Sequence, residues 1–255
     1  MRDYTIAKTV DVSKVPATFD LGILSIKNQG SKPTCVAHAL AEIVEYHSFK
    51  DSSKYNRFST DFIYGCRQEC EYIGDGMYLR DGLKIVQKYG DLLKNILPGN
   101  NDYETAMKIV SSNFNFYKAK AYPNRISTYY KIQNINELKY AIYNHGPVLA
   151  GMKWYDDASL STKNVYKYNK NANYSGHAVI IVGWTKKYLI VQNSWGVLWG
   201  KKGRFYIPID KASEVFFELY GITDNIHIPI NKKEKIKYFS PIINGVVNAF
   251  KRIKK

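Results

Sequence analysis

The sequence places a cysteine where a helix would begin and a glutamine shortly upstream of it. Cys35 follows Asn28-Gln29-Gly30-Ser31-Lys32-Pro33-Thr34 and opens a run whose apolar positions, Val36, Leu40, Ile43, Val44 and His47, recur as on one face of an amphipathic helix. Thr34 is the candidate N-cap, so Cys35 falls in the first turn. There, unpaired backbone N–H groups and the positive end of the helix dipole favour thiolate over thiol. A lone cysteine is more often a small buried hydrophobe, so the nucleophile reading needs company. Gln29 supplies some: its side-chain amide can turn toward the space above the sulfur and donate, with the Cys35 N–H, to a developing oxyanion.

The rest of the company lies far along the chain. Ser175-Gly176-His177 leads into Ala178-Val179-Ile180-Ile181-Val182-Gly183-Trp184, which predicts a buried strand with His177 at its entrance. Turn residues follow, then Tyr188-Leu189-Ile190-Val191-Gln192-Asn193, a second strand that would pair antiparallel and return Asn193 to His177. An imidazole acting as general base needs its other nitrogen held, and an asparagine oxygen does so without adding charge. Trp195 comes next in sequence, and a large ring there would shield that hydrogen bond from water.

Gln29-Gly30 followed by Cys35, then Gly176-His177-Ala178-Val179, then Asn193-Ser194-Trp195-Gly196 through Trp199-Gly200-Lys201-Lys202-Gly203-Arg204-Phe205, together resemble the papain family of cysteine peptidases. Phe58-Ser59-Thr60-Asp61-Phe62, Gly74-Asp75-Gly76 and His145-Gly146-Pro147-Val148 extend the likeness over roughly residues 15–221. The resemblance implies an α+β, papain-like two-lobe fold, with a helical lobe, an antiparallel β-rich lobe and the active-site cleft between them. It implies Cys35, His177, Asn193 and Gln29 as catalytic residues with Trp195 in support. It also places Gly76 where a substrate backbone would pair, and Met77, Gly151 and Ala178 near the pocket for the second residue before the cut.

Two departures from the family pattern bear on function. Lys32 stands where the family has a cysteine, which removes the disulfide that normally braces the active-site loop, and Val36 stands in place of a tryptophan. About fifteen residues precede Val15-Pro16-Ala17-Thr18-Phe19-Asp20, which resembles the start of the mature enzyme. Control by removal of a long helical pro-segment is therefore not expected.

Composition sets the outer bounds. The chain has 255 residues, 45% of them hydrophobic, which is ample for a core of one or two lobes. No stretch approaches the roughly 18 apolar residues of a membrane span, and the first residues lack the apolar run of a signal peptide. Three cysteines, Cys35, Cys66 and Cys70, cannot form a disulfide framework. With the missing brace, they suggest the cytoplasm or another reducing compartment. Around Cys66 and Cys70 the neighbours offer too few ligands for a metal site, and neither a metal nor an organic cofactor is expected. His38, His47 and His145 read as packed or exposed, and Asp156-Asp157 as a solvated pair.

Along the chain, helices are expected over residues 35–50, 60–67, 77–89, 103–111 and 135–144, the last capped by Asn134 or Asn136. Residues 114–122, with Phe114, Phe116 and Tyr117 near the start, read as strand, as do 147–152, while 153–174 reads as a long polar loop. One peptidase domain is expected over residues 1–224, its helical lobe about 21–112 and its β lobe about 113–224 plus the N-terminal arm. Residues 225–255 form a basic extension with eight Lys/Arg and one Glu, +7 of the net +15. In it Ile226, Ile228 and Ile230 alternate like a strand. After Pro241, Ile242, Ile243, Val246, Val247, Phe250 and Ile253 share one helical face opposite Asn244, Asn248, Lys251, Arg252, Lys254 and Lys255. Such a segment would dock on the enzyme's own body, on an anionic membrane surface, or on nucleic acid or an acidic partner.

The expected function is hydrolysis of protein or peptide substrates by a Cys-His-Asn thiolate mechanism with a glutamine oxyanion hole, as an endopeptidase. The alternatives are a cysteine-dependent acyl transferase or amidase on the same residues, and a non-catalytic binding module that kept the fold.

Overall fold

The structure is a computed structural model and describes residues 12–22, 25–70 and 72–225. The basic tail expected to form a strand and a helix lies outside the described residues, apart from Asn225. After the two-residue strand β1 (Phe19–Asp20) come helices α1 (Cys35–Ser52), α2 (Thr60–Gly65), α3 (Leu79–Lys88), α4 (Tyr103–Ser112) and α5 (Phe114–Ala121). Then follow β2 (Ile126–Lys131), α6 (Ile135–Asn144), β3 (Val148–Tyr155), the short hairpin β4 (Ser159–Leu160) and β5 (Tyr166–Lys167), β6 (Tyr174–Trp184), β7 (Tyr188–Gln192), β8 (Arg204–Pro208), α7 (Ala212–Val215) and β9 (Phe216–Asn225). Among the described residues, no helix is long and apolar enough to cross a membrane.

One antiparallel sheet runs in the order β2-β9-β3-β6-β7-β8, with β1 also pairing on β6. Strand β6 reads as an unbroken apolar run because both its faces are covered. Ala178, Ile180 and Val182 join the core that holds α1, whereas Val179 and Ile181 join a second core with Leu138 and Ile142 of α6 and Val215 of α7. The sheet is thus the shared wall of two cores.

Helix α1 departs from the expected one-sided stripe. Every residue from Val36 to Glu45 is buried, as are His47 and Ser48, because β6 packs on one side and α2 and α3 on others. Its buried carboxylates are hydrogen-bonded, as burial requires. Glu45 accepts from Lys27 Nζ at 2.6 Å, Ser25 Oγ at 2.6 Å and the Phe58 N–H at 2.9 Å. Glu42 accepts from the Lys27 N–H and from Gln192 Nε2, each at 3.0 Å. That second bond ties the helix to the strand that ends beside Asn193.

Three other expectations are corrected. Residues 114–121 are helix, not strand: Phe114, Tyr117 and Ala121 turn inward at i, i+3 and i+7, a spacing that the aromatic alternation of Phe114 and Phe116 obscures. The strand carrying His177 begins three residues earlier, at Tyr174, so the histidine sits inside the ladder rather than at its entrance. The stretch 153–174 is not all loop, since β3 continues to Tyr155 and the β4–β5 hairpin lies within it. The capping prediction at Asn134 holds: its side chain accepts from the Glu137 N–H at 2.9 Å while Glu137 returns a bond to the Gln133 N–H.

Candidate active site

Cys35 is the first residue of α1, half-buried at the helix mouth. Thr34 occupies the N-cap position, but with φ −105° and ψ 19° it is not extended, and its hydroxyl makes no capping bond. The first turn's N–H groups are left to the thiol instead. Backbone N–H groups of Ala178, Val36 and Cys35 itself act on the sulfur and favour its ionised form, while burial, the larger effect, pushes the thiol above its ordinary value. The Ala178 contact puts the sulfur next to the residue that follows His177.

His177 is held from the other side. Its Nε2 lies 2.8 Å from Asn193 Oδ1, which leaves Nδ1 for proton exchange. Asn193 is fully buried, its Oδ1 also accepts from the Ser194 N–H at 2.8 Å, and its own N–H donates to Gly203 O at 2.9 Å. Burial pushes His177 down to about 4, with the Asn193 bond opposing. Taken one at a time, the thiol and the imidazole would each be neutral.

Gln29 is buried and fixed at both ends of its amide. Ser194 Oγ donates to its Oε1 at 2.6 Å, and its Nε2 donates to Lys32 O at 2.8 Å, which leaves one N–H for a further acceptor. Its loop is stitched to the Asn193 loop by an Asn28–Trp195 bridge and by the Gly196 N–H on Lys27 O at 2.9 Å. Residues more than 160 positions apart in the chain are thereby locked into one rim.

Trp195 lies tilted over the His177 ring at 4.9 Å between centroids. A second ring beside it was not singled out from sequence. Trp154 stands edge-on to both His177 (5.7 Å) and Trp195 (4.6 Å), and Trp199 and Phe205 continue the aromatic wall. Met152 pairs with His177 across β3 and β6, so Trp154, two residues on, shares the histidine's face. Ending the strand at residue 152 concealed that periodicity.

The residues expected to bind substrate are placed as follows. Gly151 and Ala178 face each other directly across β3 and β6. A Cβ on Gly151 would meet the ring of Phe217 at 2.7 Å and Leu79 at 3.2 Å, so those two side chains, neither singled out from sequence, line the space beside them. Gly76 lies in the segment entering α3, with its carbonyl accepting from Arg67 at 2.5 Å. Met77 is buried, its sulfur near Gly82 together with Val36 and Leu40, so it serves the core. His38 is packed, its Nδ1 2.9 Å from Thr34 O. No cluster of His, Cys, Asp or Glu suited to a metal ion occurs among the described residues.

Comparison with known proteins agrees with this geometry. The model of the papain family of cysteine proteases matches residues 6–230. Cathepsin K of Mus musculus is 29% identical over 220 residues, 81% of this chain and 61% of that protein. Cathepsin B-like cysteine proteinase 3 of Caenorhabditis elegans is 26% identical over 227 residues, 76% of this chain and 61% of that protein. This chain thus spans about three fifths of the length of those two relatives. Xylellain, a cysteine protease from Xylella fastidiosa, superposes with a TM-score of 0.75 at 25% identity over 87% of this chain and 91% of its own. A family match over nearly the whole described chain, on a fold shared with xylellain, shows that the chain belongs to the papain family of cysteine proteases.

Proposed function

We propose that this protein hydrolyses internal peptide bonds with Cys35 as nucleophile, His177 as general acid and base, Asn193 as the orienting group, and Gln29 with the Cys35 N–H as oxyanion donors. The observation that carries the reading is a His177 whose far nitrogen is fixed by Asn193 at 2.8 Å, on the strand that packs against the helix opened by Cys35.

Burial penalises either group alone as an ion. Transfer of the thiol proton to His177 Nδ1 instead makes two opposite charges at once, and weak screening strengthens their attraction. The Ala178 and Val36 N–H groups on the sulfur favour the same outcome. The thiolate attacks the scissile carbonyl, and the carbonyl oxygen takes the charge between the spare Gln29 Nε2–H and the Cys35 N–H. Each such donor contributes on the order of 2.7 to 4 kcal/mol in comparable sites. Collapse breaks the C–N bond as His177 gives its proton to the leaving amine, which departs and leaves a thioester. His177 then takes a proton from water, the hydroxide attacks the thioester, and release of the carboxylic acid restores the pair. Side chains and water supply every step.

We place the enzyme in a reducing compartment, because Lys32 replaces the bracing cysteine and Cys66 and Cys70 are not joined in a disulfide. The test is to digest a mixed peptide library with wild type and Cys35→Ala. Internal cleavage by wild type alone supports the reading. Equal cleavage by both proteins overturns it, and amide products formed only when an amine is added would reassign the chemistry to acyl transfer.

A further inference from the structure

A backbone segment that pairs with an extended peptide, as Gly74-Asp75-Gly76 would, must hold its own N–H and C=O groups in register. Two side chains from the helical side hold the segment. Arg67, in the 3₁₀ turn Cys66–Glu69 that continues α2, is buried and donates from Nη1 to the Gly76 carbonyl at 2.5 Å. Tyr64, at the end of α2, donates from its hydroxyl to the Asp75 carbonyl.

The arginine is itself fixed in place. Its guanidinium carbon lies 3.4 Å from the centroid of the Tyr103 ring and 5.4 Å from that of Tyr64, and those rings meet edge to face at 5.4 Å. A planar cation held on an aromatic face keeps its N–H fork pointing in one direction. Tyr103 belongs to the first turn of α4, whose cap is made by Asp102. The grip on Gly76 therefore runs back into two packed helices. On another side of Gly76, a Cβ would meet the Tyr72 hydroxyl at 2.8 Å, and Tyr72 stacks edge-on against Tyr78. A residue with a Cβ at this position would require the Tyr72 ring to shift.

We propose that Arg67, assisted by Tyr64, is a positioning residue for substrate: stacked on Tyr103, it fixes the Gly76 peptide so that an extended substrate can pair with it. This rests on the reading of Gly76 as the residue that pairs with substrate. Arg67 touches neither Cys35 nor the scissile bond on this account, so its loss should weaken binding of substrates long enough to reach Gly76 and leave the chemical step alone. A misplacement of about 1 Å in a binding element can cost on the order of a hundredfold.

The experiment compares two fluorogenic amides, an N-acetylated tripeptide that reaches Gly76 and an N-acetylated single amino acid that does not. Wild type, Arg67→Lys, Arg67→Met and Tyr64→Phe are assayed, with the rate of Cys35 alkylation by iodoacetamide as a control on the nucleophile. For Arg67→Met, KM for the tripeptide amide should rise at least about tenfold with kcat within about twofold, while turnover of the single-residue amide and alkylation stay unchanged. Arg67→Lys keeps the charge but loses the planar fork and should recover only part of the loss. If Arg67→Met does not fold, Tyr64→Phe decides: a raised KM on the tripeptide alone supports the brace, and an unchanged KM overturns it. Equal losses on both substrates, or no loss on either, also overturn it. A wild type that gains nothing from the longer substrate would instead refute the placement of Gly76, which the variants do not test.

Discussion

Gln29 and Ser194 are joined twice: the Gln29 N–H donates to Ser194 O at 2.8 Å, and Ser194 Oγ donates to Gln29 Oε1 at 2.6 Å. The first bond fixes the loop and the second fixes the rotation of the amide. Gln29→Ala should therefore lower kcat by about 10² to 10³ with the fold intact. Ser194→Ala removes only the rotational hold, and kcat should fall about tenfold with KM little changed. Steady-state kinetics on one peptide amide, with thermal melts alongside, checks both. An equal loss in the two variants would mean that Ser194 does more than orient Gln29.

Trp154 touches His177 and Trp195 at once, so it keeps the shielding ring in place and water away from the His177–Asn193 bond. Trp154→Ala should cut kcat/KM by about tenfold and Trp154→Phe should restore most of it, since a smaller ring still excludes water. If both variants keep full activity while losing stability, Trp154 is packing alone.

Glu42 gives a pH signature separate from catalysis. Burial pushes it up to about 8, with Gln192 and Lys27 opposing. In the unfolded chain its value is about 4.3, so between the two the folded state holds a proton that the unfolded chain has released. Folding takes up a proton in that window, and stability falls as pH rises, by up to ~1.4 kcal/mol per pH unit. Asp91, also buried and pushed well above its ordinary range, acts in the same direction. Glu42→Gln cannot ionise, so although it loses one accepted hydrogen bond, its melting temperature should drop less than that of wild type between about pH 5 and about pH 8. Parallel curves would show that Glu42 is ionised in the fold throughout.

None of the three cysteines is joined in a disulfide, and the segment Gly74-Asp75-Gly76 is tied by Arg67 and Tyr64. Adding a reductant should leave the melting temperature unchanged while protecting activity through Cys35. A drop of several degrees on reduction would show that Cys66 and Cys70 bridge in solution.

The residues we propose as catalytic were legible because each sits at a local signal: a helix mouth for Cys35, the start of an apolar run for His177, the end of a strand for Asn193. Of the residues around them, Trp195 was legible too, but Ser194, Trp154 and Arg67 were not. Ser194 meets Gln29 across a loop-to-loop bridge, Trp154 meets His177 through the β3–β6 register, and Arg67 rests on a ring from another helix, so no short window contains both partners. Phe217 escaped for a similar reason, since its contact with Gly151 arises where β9 lies alongside β3. The misread of residues 114–121 has a different origin. Aromatic residues at alternate positions imitate a half-buried strand, and only the inward turn of Phe114, Tyr117 and Ala121 on the helical core reveals the longer period.

The account stands on Cys35 being held as a thiolate by His177, against the effect of burial on either group alone. The direct measurement is the rate of Cys35 alkylation by iodoacetamide as a function of pH, located by mass spectrometry of the peptide that contains it, in wild type and His177→Ala. Wild type should react at a rate that is already substantial well below the ordinary thiol value of about 8.5, and His177→Ala should react only as pH rises past that value. Identical profiles with a single onset above about 8.5 in both proteins would contradict the pair, and with it the mechanism.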